Sequence, residues 1–248
     1  MPAPSAPLWG LFARLRPAAL DAIRAASPVA YVPWGALEWH GVHAPAGLDG
    51  AQAEGQCEAL AAATGGVVLP VVYAGTDTIK PLKGFGHTVE HRAETVAALC
   101  TELLDGLADE GWRVLIVVTG HAGGGHTDAL REAAQRFAAR RPDVAVRVWT
   151  SFSLIQDVYP SNHAARGEVS FQLRFAPDTV DLTAIPDGPP PTLDGEGVWG
   201  EDPRLASAGE GEAMLRLFVE RASAEVRPLL EEVRGPGAEG REQEGRAP

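Results

Sequence analysis

The segment WRVLIVV at residues 112–118 constrains the fold of this chain more than any other. From Val114 to Val118 it is continuously apolar and mostly β-branched. That is the pattern of a strand covered on both faces, as in parallel sheets flanked by helices. Residues 29–34 (VAYVPW), 67–73 (VVLPVVY) and 144–150 (VAVRVWT) read as further strands. Pro70 marks an edge or a bulge in the second of them. Residues 17–26, 50–64, 92–110 and 127–140 carry helical patterns between the strands, with Pro17 at one start and Gly65-Gly66 at one stop. Alternation of this kind predicts an α/β fold, a single domain with a parallel-dominated sheet and helices on both faces. Residues 158–168 and 186–200 read as irregular and 209–233 as a final amphipathic helix. The domain is expected over 1–233. Residues 234–248, with no aliphatic side chain beyond alanine, are expected to be a disordered tail.

The net charge of −12 over 248 residues gives no basic face for nucleic-acid binding through phosphate neutralisation. No apolar run approaches bilayer-spanning length. The opening residues MPAPSAPLWG lack the basic-then-apolar order of a secretory leader. Two cysteines, Cys57 and Cys100, make no disulfide framework and read as small buried hydrophobes. A cytoplasmic protein acting on a small molecule, with no nucleic-acid or membrane partner, is expected.

Three polar loops each follow a strand, and in such sheets ligands bind beyond the carboxyl ends of the strands. The first, GALEWHGVHAPAGLD (35–49), offers Glu38, His40 and Asp49. Residues i and i+2 of an extended segment share a side, so Glu38 and His40 can point together. Gly41 and Gly47 let the chain turn and bring Asp49 back. Carboxylates with imidazole suit Zn²⁺, Mn²⁺ or Fe²⁺; the plain alternative is a polar loop bonded to itself. The loop TGHAGGGH (119–126) sets His121 directly after the most apolar strand. Its glycines permit close approach of the backbone to a ligand. A phosphate-cradling loop would need a Lys-Ser/Thr pair that is absent, and G-x-G-x-x-G does not occur.

These residues resemble the creatininase family. EWHGVHAPAGLD matches the family pattern E-x-H-G-x-H-x-P with an Asp eleven residues after the Glu, here Glu38 to Asp49. TGHAGG resembles a second motif, G-H-G-G-N. WGEDPRLASAGEGE (199–212) resembles a third, and the three stand in family order over roughly residues 25–225. The resemblance implies two divalent metal ions per chain, zinc or manganese with iron also compatible. Glu38, His40, Asp49 and His121 become ligands, with Asp49 bridging the two ions. It implies an amidohydrolase that cleaves a C–N bond of a cyclic amide, formamide or similar small substrate, using a water activated between the metals. It also implies a homo-oligomer. His43 and His126 would orient ligands from behind.

The chain departs from the family in two places. Where creatininase itself has a ligating Glu two residues after the second-motif His, this chain has Gly123. The segment NHAARGEVSFQL (162–173) stands for the family's H-A-G-E-x-E-T and offers Glu168 as the fifth ligand, with Ser170 replacing the second Glu. The family's proton-shuttling His either corresponds to His163 through a two-residue insertion or has moved. Phe85-Gly86-His87-Thr88 replaces the family's F-P-G-T, and the chain's only lysines, Lys80 and Lys83, fall in this loop. They could meet an anionic group of a substrate, or simply face solvent. The altered loop and displaced His argue against creatinine as substrate. They also motivate the alternative of a catalytically altered metal- or ligand-binding protein with a regulatory or scaffold role.

Overall fold

The structure, a computed structural model, describes residues 7–234. Residues 1–6 of the opening segment, and the tail expected from residue 234 apart from Arg234 itself, lie outside the described residues.

Strand β1 (Trp9–Leu11) is followed by α1 (Pro17–Ala26), β2 (Val29–Gly35), α2 (Leu48–Thr64), β3 (Gly66–Val68), β4 (Val72–Tyr73) and α3 (Ile79–Lys83). Then come α4 (Ala93–Asp109), β5 (Val114–Thr119), α5 (Gly124–Arg140), β6 (Ala145–Thr150), α6 (Arg166–Phe175) and α7 (Ala208–Arg234). Every strand pair is parallel. The order is β1-β3-β2-β5-β6, with β4 against the end of β2.

Alternation along the central strands feeds two cores. Val29, Tyr31, Val114, Ile116 and Val118 pack with Ala53 and Cys57 of α2, Phe171 of α6 and Phe218 of α7. Ala30, Val32, Trp34, Leu115 and Val117 pack with Val96 and Leu104 of α4 and with Leu130 and Phe137 of α5. This is the three-layer arrangement that doubly buried strands demand. Cys57 and Cys100 are buried and unpaired, and burial pushes the Cys100 thiol up to about 12. No helix among the described residues is long and apolar enough to cross a membrane.

The register places the functional loops. β2 and β5 pair from Val29↔Val114 through Trp34↔Thr119, so they end together. The loops that leave them therefore start side by side.

Four elements differ from the sequence expectation, the short helix α3 in the loop that carries the two lysines among them. The strand expected over 67–73 is two short strands. Leu69 N–H still donates to Tyr31 O, but Pro70 has no N–H to offer, and the chain rejoins β2 only at Trp34↔Val72. β1 is a three-residue edge strand, too short to show a periodicity. Helix α6 was not anticipated because its buried positions mix Glu168, Ser170 and Gln172 with Val169 and Phe171, which erases the apolar stripe. Phe171 sits edge-on to Phe152 at 5.6 Å between ring centroids and stacks on Phe175 at 5.9 Å. Phe171→Ala is expected to cost about 3–5 kcal/mol. Urea unfolding measures it, and a loss under about 1 kcal/mol would mean that α6 is not part of the core.

Candidate metal centre

The loops after β2 and β5 converge as expected. They are joined by the loop after β4 and by the segment between β6 and α6. The first loop closes on itself through Glu38 N–H to Ala46 O at 2.8 Å. Asp49 enters from the first turn of α2, where Ala36 N–H donates to its Oδ2 at 3.3 Å. His121 enters from the end of β5 and Glu168 from the first turn of α6. All five expected ligands meet, and all are buried, with exposures of 5% or less.

Three carboxylates buried together are costly unless cations face them. His40 Nε2 lies 3.2 Å from Asp49 Oδ1 and 3.7 Å from Glu168 Oε2. His121 Nδ1 lies 2.9 Å from Glu38 Oε2 and 3.7 Å from Asp49 Oδ2. The donor atoms form three groups, each within 4.8 Å: the triads Glu38–Asp49–His121 and His40–Asp49–Glu168, and a third of Glu38, His40 and His163. Asp49 belongs to both of the first two, and it uses a different oxygen toward each imidazole.

Hydrogen bonds at the periphery orient each imidazole inward. His40 Nδ1 sits 3.0 Å from Glu38 O, and His121 Nε2 sits 3.0 Å from Thr76 O. A carbonyl can only accept, so those nitrogens carry the protons. The inner nitrogens are left with lone pairs, the tautomers a cation needs. His40 Nε2 and Glu38 Oε2 are buried without a hydrogen-bond partner. Buried polar atoms are almost always satisfied, so these two orphans mark the place of a missing partner. The donor set fits divalent zinc or manganese.

Without a cation, protons must fill the hole. Burial depresses His40, but Asp49, then Glu168 and Glu38, outweigh it and raise it to about 10. His121 is raised to about 9 in the same way, against burial, chiefly by Glu38. Asp49 is held down at about 2, its burial overcome by His40. Glu168 has less compensation, and burial raises it to about 8.

The supporting histidines are placed as follows. His43 Nε2 meets Ala164 O at 2.9 Å, and Ala164 N–H donates to Glu168 Oε2 at 2.7 Å. His43 therefore braces the left-handed turn at Ala164 (φ 53°) that holds Glu168. His126 lies behind His121, with ring centroids 4.8 Å apart. It meets Thr119 Oγ1, which donates to His121 O. His163 packs 4.6 Å from His40 between ring centroids, and its Nε2 lies 3.0 Å from Trp39 O. Burial, then the charge at His40, hold His163 down at about 4.

The lysines stand outside the cavity lining: the cavity of about 310 Å³ that opens over the donor set is lined by neither. Lys80 Nζ donates to Thr88 O at 3.3 Å. Lys83 Nζ pairs with Asp194. Both lie on α3, which starts at Ile79 where the backbone N–H donates to Glu38 Oε1. That bond ties the start of α3 to the donor set, while the two lysine ammonium groups are engaged at Thr88 and Asp194. The glycines after His121 serve another loop instead of a phosphate: a Cβ on Gly123 would stand 2.5 Å from Asp77 O.

Sequence reasoning missed Asp77 and Glu90. The Glu90 carboxylate accepts from Asp77 N–H, Thr78 N–H and the hydroxyls of Thr76 and Thr78. Asp77 itself is left-handed (φ 58°) and accepts from Gly125 N–H at 2.7 Å. The only signal was an Asp in a Gly-Thr-Asp-Thr turn, a residue tolerant of that conformation.

Residues 13–226 match the sequence profile of the family Creatininase, described as creatinine amidohydrolase. A creatinine amidohydrolase of Pseudomonas putida is 26% identical over 236 residues, covering 83% of this chain and 91% of that protein. A creatininase structure described with manganese superposes with a TM-score of 0.76 at 23% identity, covering 90% of this chain and 99% of that one. A zinc–zinc form of a creatininase mutant gives the same TM-score and identity, covering 91% and 99%. At this identity the two structures speak to the fold.

Proposed function

The chain belongs to the creatininase family, and from that premise we propose that it is a hydrolase holding two divalent cations and cleaving a C–N bond in a small amide. The observation that carries this reading is the sharing of Asp49 between two donor triads. Glu38, Asp49 and His121 hold one ion; His40, Asp49 and Glu168 hold the other. Zinc or manganese suits both sets. When bound, the ions supply Lewis acidity, lowering the pKa of a water and polarising the carbonyl it attacks.

The chain's own residues do the rest. Glu38 is fixed by the Ile79 N–H, so its free oxygen faces inward. His163 donates through Nε2 to Trp39 O, which leaves Nδ1 as a base beside His40. There it takes a proton from the attacking water and returns it to the leaving nitrogen. No Ser or Cys nucleophile is needed. The replacement of the family's F-P-G-T by Phe85-Gly86-His87-Thr88, with α3 ahead of it, supports a substrate other than creatinine.

The test is elemental analysis of the purified chain together with hydrolysis assays on creatinine, other cyclic amides and formamides. Two ions per chain are expected, and Glu38→Gln should lose about 10²-fold or more in the activity found. Gly123 stands where creatininase itself carries a Glu, which favours a second reading, a binder without hydrolysis. Two bound metals with no hydrolysis above the Glu38→Gln background in any of these assays would establish that reading.

A further inference from the structure

Resting on the hydrolase reading, we propose that the substrate carries an uncharged apolar substituent beside its scissile bond, and that an anionic group on that substituent is disfavoured. The cavity over the donor set is walled by Leu82, Leu193 and Trp199, with Asp77 at its polar edge. No lysine or arginine is among the residues that line it.

The apolar wall is not incidental surface. Leu82 and Trp199 are 64% and 56% exposed, and they are among the most exposed large hydrophobic side chains of the described residues. Each is tied through the backbone to the centre, Trp199 directly and Leu82 through Ile79 at the start of its helix. Leu82 rides on α3, whose first N–H donates to Glu38. Trp199 exchanges two backbone hydrogen bonds of 2.8 Å with His163. The wall is therefore held in fixed relation to the ligands, as a specificity surface must be. Its exposure in the free protein leaves apolar area for a substrate to cover.

The charge argument is independent. The only lysines do not line the cavity, and their ammonium groups are engaged by Thr88 O and Asp194. Asp77 has no ion-pair partner among the described residues. Glu90 holds its backbone, and Gly125 N–H takes its Oδ2. An anion at the donor set would meet the bound cations, but one carried on the substituent would meet the Asp77 carboxylate with no Lys or Arg in the lining to offset it.

The test uses calorimetry on the metal-loaded chain with three hydroxamates, which share one metal-seeking head. Benzohydroxamate is expected to bind at least tenfold tighter than acetohydroxamate. 4-Carboxybenzohydroxamate should bind at least tenfold weaker than benzohydroxamate. Trp199→Ala should erase most of the phenyl advantage, read as the ratio of benzohydroxamate to acetohydroxamate affinity within the variant. Asp77→Asn should shrink the penalty on the carboxylate at least threefold. Equal binding of acetohydroxamate and benzohydroxamate, or of the carboxylated and plain phenyl probes, overturns the proposal. The wild-type series alone decides it if a variant fails to fold. Failure of the hydrolase reading is read separately, as two bound metals with no hydrolysis in the assays above, and a chain that takes up no metal and binds none of the three probes overturns both readings and the substrate proposal with them.

Discussion

Asp49→Asn is expected to empty both cation positions at once, whereas Glu168→Gln empties one. Asp49 lies 3.2 Å from His40 Nε2 through Oδ1 and 3.7 Å from His121 Nδ1 through Oδ2. An amide at that position presents N–H where the second ion needs an oxygen. Bound metal should fall from two per chain to fewer than one, and any hydrolysis by at least about 10²–10³-fold. The stability readout is separate. An ion held at a thousand times its Kd adds about 4 kcal/mol to folding. For a domain of this size, chelation of the wild type should lower Tm by about 8–16 °C per ion. Asp49→Asn should start low, because removing one partner of a buried pair costs about 3–5 kcal/mol, and chelator should scarcely move it. Equal metal content in Asp49→Asn and Glu168→Gln, or an undiminished chelator response in Asp49→Asn, would sink the shared-ligand account.

What could be read from the residues divides along a physical line. Glu38, His40 and Asp49 lie within one loop and His121 follows the most apolar strand, so residue type and spacing pointed to them. Glu168 came forward only through family resemblance. Its helix α6 buries polar and apolar residues together, and its position depends on the Ala164 turn braced from His43. The two lysines show the limit in the other direction. Their loop was read either as meeting a substrate or as facing solvent, and the choice depends on α3, which is tied to Glu38, Thr88 and Asp194 from distant parts of the chain. Asp77 and Glu90 were illegible for the same reason. Their roles are made by backbone groups brought together in the fold, and no local pattern encodes that.

The glycines follow the same logic and carry the second large effect. The run Gly123–Gly125 drew attention in the sequence, but Gly120 is the critical one. Its N–H donates to Trp34 O at 3.0 Å, and a Cβ there would stand 2.1 Å from the Asp49 carbonyl oxygen. The contact is with backbone, so no side chain can swing aside. Nor can α2 retreat freely, because Gly35 holds the same turn from β2: a Cβ on Gly35 would lie 2.4 Å from Gly50 N. The ends of β2 and β5 thus clamp the first turn of α2, and that clamp delivers Asp49 between the two triads. Gly120→Ala is expected to lose about 1–3 kcal/mol or more by overpacking. It should also weaken metal binding at both positions, because a shift of about 1 Å at a site costs on the order of 10²-fold in function. Gly106→Ala in α4 is the counter-case, with nothing within 4 Å of the added Cβ. It should stabilise the chain by about 0.4–1 kcal/mol and leave metal uptake unchanged. Denaturant unfolding and metal titration of the two variants decide the matter. If Gly120→Ala matched the wild type in both, the close approach of strand end to helix start would not be what positions Asp49.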